Sequence, residues 1–319
     1  MGGHGIQIKE PNWPHYQIED ALMRGATWLI APDSVAGNIW PILPGFPLNL
    51  SSCLPIAQNL ASVIALAGDG NGTVFLVSQP GAAPASYSLD YPGGLLGPIG
   101  NPDFLPFCHN GIVFTNGGIL GMIVNGSIQA FDTGFNPLPG GYPLLPAAPS
   151  LLQGLAMDKV NRLLYAACQN TLYYLDLNNP TGWVWGGIDL MTLWELSTPP
   201  FPLTLAVESQ SGDVYILYLP DAGQPSQANV GVFNPKTGDF VAAFSPANFS
   251  PGGGLAVAQV NGSVSVFVSE MSGTSCSIQA YSTATNAWSP VPVPPNLQQV
   301  KVLAVTETAV TWQRVTFVK

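Results

Sequence analysis

Residues 254–288 read GLAVAQVNGSVSVFVSEMSGTSCSIQAYSTATNAW. An apolar strand containing Leu255-Ala256 runs into Asn261-Gly262, and a second strand rich in Val and Phe follows. A Ser-Gly turn leads to a third strand that ends near Tyr281, and Thr285-Asn286 turns the chain again before Trp288. Asn-Gly and Ser-Gly between β-branched runs supply the positive φ that tight hairpins need. The segment is therefore a small antiparallel sheet of successive hairpins.

The same frame recurs on both sides. Residues 154–183 read GLAMDKVNRLLYAACQNTLYYLDLNNPTGW, and residues 203–244 read LTLAVESQSGDVYILYLPDAGQPSQANVGVFNPKTGDFVAAF. Weaker copies begin at Ile18, Ser62, Gly111 and Val300. First strands start near 19, 62, 111, 154, 203, 254 and 301, at intervals of 43 to 51 residues. A period in the forties with three or four strands per unit is the spacing of a β-propeller blade. Each sheet is apolar on both faces and cannot bury itself alone. Stacking around an axis buries both faces and leaves only short edges. The expectation is one all-β domain over 1–319, a seven-bladed propeller with six blades as the fallback. The blades fall near 17–58, 59–106, 107–150, 151–199, 200–250, 251–296 and 297–319. The last unit is short, so the strand-like residues 5–10 (GIQIKE) are expected to complete it and close the ring.

Three endings carry a family resemblance. Tyr281-Ser-Thr-Ala-Thr285-Asn286-Ala-Trp288 resembles the kelch-type ending, a strand aromatic followed by Thr-Asn and then Trp. Phe233-Asn-Pro-Lys-Thr237-Gly238 and Leu175-Asp-Leu-Asn-Asn-Pro-Thr181-Gly182 resemble the turns of YVTN and quinoprotein-like propellers. The resemblance is to the β-propeller repeat superfamily and spans most of the chain.

Composition narrows the function. Only 8% of the 319 residues are charged, against roughly a quarter in an average domain. Eight Lys and Arg stand against 18 Asp and Glu, a formal charge of −10. The few bases are scattered, which argues against nucleic-acid binding. High hydrophobicity with little charge argues against disorder. No run of about 18 apolar residues is free of Pro or polar residues, so no membrane insertion is expected. The N-terminus shows no signal-peptide pattern. Few ionisable groups mean little acid-driven self-repulsion. That suits a virion or extracellular surface, or a particle packed against its own copies.

The expected binding face is made by the blade connections, 53–61, 97–110, 138–153, 192–202, 245–253 and 289–299. They are rich in Pro, Gly and aromatics and nearly free of charge. Stiff loops lose little entropy on binding. Asp103, Phe104, Phe107, His109, Tyr142 and Trp194 are the candidate binding residues there. Cys53 and Cys108 lie in successive connections at one end, where a disulfide is geometrically possible. Cys108 and His109 are neighbours on an extended chain, so they point apart and do not suggest a nucleophile pair. Asp69, Asp158 and Glu208 each follow the Leu-Ala strand. A ring of carboxylates could hold a cation, but the same position opens a tight turn, where Asp bonds its own backbone. Trp183 and Trp185 are read first as packing between blades and second as a sugar platform. Five Asn-x-Ser/Thr triplets occur, at Asn49, Asn71, Asn125, Asn248 and Asn261, and three are Asn-Gly turns. No nucleophile elbow, phosphate loop, dinucleotide fingerprint or zincin motif is present, so no cofactor and no metal is implied. The leading expectation is a non-enzymatic binding or assembly propeller facing a protein or neutral glycan. The alternatives are a glycan-binding lectin and a hydrolase or lyase using channel carboxylates.

Overall fold

A computed structural model describes residues 27–44, 55, 58, 60, 63–68, 73–77, 85–88, 95–98, 108–115, 118–124, 127–146, 152–179, 182–220, 228–245, 251–272 and 275–307. The described chain opens with a hairpin, β1 (Thr27–Pro32) and β2 (Ile39–Ile42). Five blades of consecutive antiparallel strands follow. Blade one holds β3 (Ala65–Gly68), β4 (Thr73–Val77), β5 (Ala85–Ser88) and β6 (Leu95–Pro98). Blade two holds β7 (Cys108–Thr115), β8 (Ile119–Val124) and β9 (Ser127–Phe131). Blade three holds β10 (Leu152–Asp158), β11 (Leu163–Cys168), β12 (Thr171–Asp176) and β13 (Gly186–Asp189), and a one-turn helix α1 (Leu190–Leu193) leaves it. Blade four holds β14 (Phe201–Val207), β15 (Val214–Leu219), β16 (Asn229–Asn234) and β17 (Asp239–Phe244). Blade five holds β18 (Pro251–Val260), β19 (Ser263–Ser272), β20 (Ser275–Ser282) and β21 (Ala287–Val291). The last described strand, β22 (Ala304–Glu307), pairs antiparallel with β1, so a composite sheet ordered β2-β1-β22 joins the two ends.

This corrects the blade count. Neither the seven blades expected nor the six of the fallback is made by consecutive strands; they make five, and the closing sheet is shared between the ends. The physical reason lies in β1. One edge pairs with β2, Leu29 opposite Ile42, and the other with β22, Leu29 opposite Val305. The first and last repeats are therefore parts of one sheet. Residues 5–10, expected to supply the closing strand, lie outside the described residues. The inner strands β22, β3, β7, β10, β14 and β18 touch in that order and return to β22 around the axis.

The Leu-Ala repeat explains the stacking. Leu66, Leu155, Leu205, Leu255 and Leu303 each pack into the core shared with the preceding sheet. The alanines that follow, Ala67, Ala156, Ala206, Ala256 and Ala304, face the next one. Successive strand residues alternate faces, so one dipeptide serves two interfaces. Across the blade, Ala67 pairs with Phe75, Ala156 with Tyr165, Ala206 with Tyr215 and Ala256 with Phe267. A small inner residue beside a large second-strand residue makes these four blades wedges, narrow at the axis; blade two instead pairs Val113 with Gly121.

Glycine admits the neighbouring wedge. A Cβ on Gly154 would lie 3.2 Å from Leu205 Cδ2, and one on Gly254 would lie 2.8 Å from Leu303 Cγ. In both cases a leucine in or just before the next inner strand fills the missing side-chain space. The Asn-Gly turn expected at 261–262 is present, with φ of 52° and 78°. Those at 71–72 and 125–126 lie outside the described residues.

Candidate functional site

Antiparallel strands alternate in direction, so the connections into the inner strands and the second-to-third-strand turns share one end of the ring. At that end four inner strands carry register irregularities: β7 between Cys108 and Ile112, β10 between Leu152 and Gly154, β14 between Pro202 and Thr204, and β18 between Pro251 and Leu255. Bulges re-aim backbone at rims. Here they surround a shallow cavity of about 50 Å³ on the axis. It is lined by Ala65, Gly111, Thr204, Val302 and the five repeat leucines. That space admits a water or two, and is well below the volume of a small-molecule pocket. No described lining residue is ionisable. Leucine thus plugs the axis, and the two faces and the rim are what the ring presents.

The candidate residues are placed as follows. Asp103, Phe104, Phe107 and Cys53 lie outside the described residues. For Cys108 and His109 only the backbone position, at the start of β7, is described. The Cys53–Cys108 pairing therefore lies outside as well. Tyr142 is half-buried between blades two and three, its ring 5.6 Å from Trp183. Burial raises its phenol pKa, and a bond with Thr115 partly opposes this. Trp185 donates its indole N–H to the Pro143 carbonyl at 2.8 Å and joins the same core, so both Trp183 and Trp185 pack between blades. Trp194 caps the C-terminus of α1, is 8% exposed, and stacks on Tyr218 at 4.2 Å. The contacts of Trp194 and Tyr142 are packing contacts between blades.

The acids after the Leu-Ala strands close turns at the opposite end. Asp158 is fully buried, and its Oδ1 accepts the N–H of Val160 and of Asn161 at 2.9 and 2.8 Å. Its Oδ2 accepts Asn161 Nδ2 at 2.6 Å. Glu208 does the same with Gln210 and Ser211, at 3.0 and 2.5 Å. Both are turn residues, each reaching the next blade: Asp158 lies against Gly212, and Glu208 accepts Gln259 Nε2 at 3.5 Å. Asp69 lies outside the described residues. Among the described residues no group of three His, Cys, Asp or Glu side chains is arranged to hold a metal ion. Cys168 and Cys276 are buried in blade interfaces, and burial pushes the Cys276 thiol up to about 11.

Sequence reading missed two features at the connection end. The first is the residue before Leu-Ala, whose signal was the recurring Gly or Thr at 154, 204 and 254. The second is Asp33, fully buried in the turn between β1 and β2. Its Leu-Ile-Ala-Pro strand lacks the Leu-Ala dipeptide that marked the other acids.

The buried tyrosines give a pH expectation. Burial raises the phenol pKa values of Tyr165 and Tyr215, and the charge of Asp158 beside the first, with Asp213 and Glu208 beside the second, adds to the rise. In the unfolded chain they ionise near pH 10. The folded state holds the proton more tightly, so this stability is fully present below about pH 10 and is lost as pH rises further. The expected outcome is phenolate absorbance from these side chains that appears only together with loss of β-sheet circular dichroism. Normal titration of every tyrosine near pH 10 with the sheet intact would contradict it.

No protein-family model and no curated protein matches the chain. Solved structures do. A chain in a nidogen/laminin complex matches with a TM-score of 0.61 at 14% identity, covering 88% of this chain and 98% of that one. A functionally unknown protein from Desulfotomaculum acetoxidans matches at 0.55 with 12% identity, covering 88% and 99%. A streptogramin B lyase matches at 0.50 with 14% identity, covering 87% and 77%. At these identities the likeness is one of fold, and the chain is a β-propeller protein. No helix among the described residues is long and apolar enough to cross a membrane.

Proposed function

We propose that this propeller is a non-enzymatic binding and assembly protein whose connection face packs against protein, in the first place copies of itself or other components of one particle. The observation that supports this most is the leucine plug. A hydrolase or lyase using channel carboxylates needs ionised groups around an open axis, and the described lining is Ala, Gly, Thr, Val and Leu. The connection end instead exposes apolar side chains, with Val35 57% and Phe201 37% exposed. A virion or extracellular setting fits the 8% charge. The test is light scattering across a concentration series, with chemical cross-linking. Self-association that a Val35→Ser, Phe201→Ser double variant weakens supports the reading. A strict monomer at every concentration, or turnover of a small substrate, overturns it.

A second reading, a neutral-glycan lectin, draws support from one cluster. Phe244, Tyr281 and Trp288 are half-buried at the rim between blades four and five, with Phe244 and Tyr281 stacked at 4.0 Å. Tyr281 donates its hydroxyl to Asn286 Oδ1 at 3.0 Å, and Asn286 is exposed beside them with its amide nitrogen available to a sugar hydroxyl. A glycan array read with the parent and Trp288→Ala decides it: loss of signal in the variant supports the lectin, and an empty array removes it.

A further inference from the structure

The turn 33–38 joins two parts of the chain that lie far apart in sequence. Asp33 Oδ1 accepts the N–H of Val35 at 3.0 Å and of Ala36 at 3.1 Å, the local pattern also seen at Asp158 and Glu208. Asp33 alone of the three also takes backbone donors from the far end. Gln298 N–H reaches its Oδ2 at 2.8 Å, and Gln299 N–H its Oδ1 at 3.3 Å. Ser34 completes the grip. Its N–H donates to the Gln299 carbonyl at 2.8 Å, and its hydroxyl lies 2.8 Å from Gln299 Oε1.

We propose that Asp33 is a clasp, and that the seam it holds, 27–42 against 297–307, is the part of the propeller that opens first. Three observations combine. The carboxylate is fully buried and receives four backbone donors. The sheet beneath it, β2-β1-β22, is the one sheet among the described residues whose strands are not consecutive. The apolar groups under it, Leu29, Ala31, Val300 and Leu303, belong to the core between blade five and the closing sheet. Within each consecutive blade, neighbouring strands are close in sequence, the longest connections being 177–185 and 220–228. The closing sheet ties a loop of more than 260 residues, so opening it releases the largest loop entropy in the fold. Buried polar groups that lose a partner are unfavourable, so the clasp keeps that seam shut.

The test is segment-resolved hydrogen exchange of the full chain and of Asp33→Asn. The variant keeps an acceptor at Oδ1 and sets an amide NH₂ against the Gln298 N–H. Exchange in 27–42 and 297–307 is expected to speed about tenfold or more, with β10, β11 and β12 unchanged. Asp158→Asn, altered at a local turn, is expected to leave both seam segments unchanged. Acceleration spread evenly over all blades, or none in the seam, overturns the proposal. Should Asp33→Asn not accumulate as folded protein, Ser34→Ala, which removes only the hydroxyl bonds to Gln299, is read by the same criterion.

Discussion

Gly254→Val is expected to destabilise the propeller by about 3 kcal/mol or more, through overpacking and an unmade buried hydrogen bond. A Cβ at 254 would stand 2.8 Å from Leu303 Cγ, 3.0 Å from Ser269 Oγ and 3.2 Å from the carbonyl carbon of Val302. The last of these is backbone and cannot swing away. The Gly254 N–H also donates to Ser269 Oγ at 2.8 Å, and Ser269 is fully buried. Displacing the strand therefore leaves a buried hydroxyl without its donor. Gly141→Ala is the matched control, because nothing lies within 4 Å of its added Cβ and its φ is not positive. Its expected effect is within about 0.5 kcal/mol. Thermal or urea unfolding of both variants checks the pair. A Gly254→Val protein as stable as the control would show that the leucine plug is not close-packed.

A chain ending at Leu303 is expected to lose its cooperative unfolding transition relative to one ending at Glu307. The four residues removed are β22. Their loss strips one edge of β1 of its register partners, Thr27 with Glu307 through Ile30 with Ala304. Ala304 leaves the core between the closing sheet and blade one, and Val305 leaves the core on the other side. A new carboxylate would sit on Leu303, itself 7% exposed on the axis. Several ladder hydrogen bonds at about 1 kcal/mol each, with a desolvated charge added, approach the 5–15 kcal/mol net stability of a typical domain. Circular dichroism melts and limited proteolysis of the two truncations read the difference. Matching melts would mean that the ring does not depend on β22.

These two expectations rest on features of different legibility. The glycine lies within the repeat, so its position could be seen in sequence, although its partner could not. Gly154 and Gly254 precede Leu-Ala in plain view. That the space beside them belongs to Leu205 of β14 and to Leu303, which leads into β22, follows only from the ring. Trp194 and Tyr142 show the reverse case. Their place in Pro-rich connections suggested an exposed face, yet Trp194 stacks on Tyr218 and Tyr142 lies by Trp183, because the large blade interfaces draw in the nearest aromatic rings.

The sequence by itself determined that this chain is a ring of repeated antiparallel sheets with connections nearly free of charge. That much is local: alternating apolar residues make strands, Asn-Gly and Thr-Gly make turns, and a recurring Leu-Ala marks the inner strands other than β7. Tertiary structure alone decided how many blades there are, what fills the axis and how the ring is locked. Those outcomes depend on pairings between residues more than 260 positions apart, Leu29 with Val305 and Asp33 with Gln298. A strand's second edge finds its partner by shape and burial in the assembled ring, and no repeat spacing encodes it.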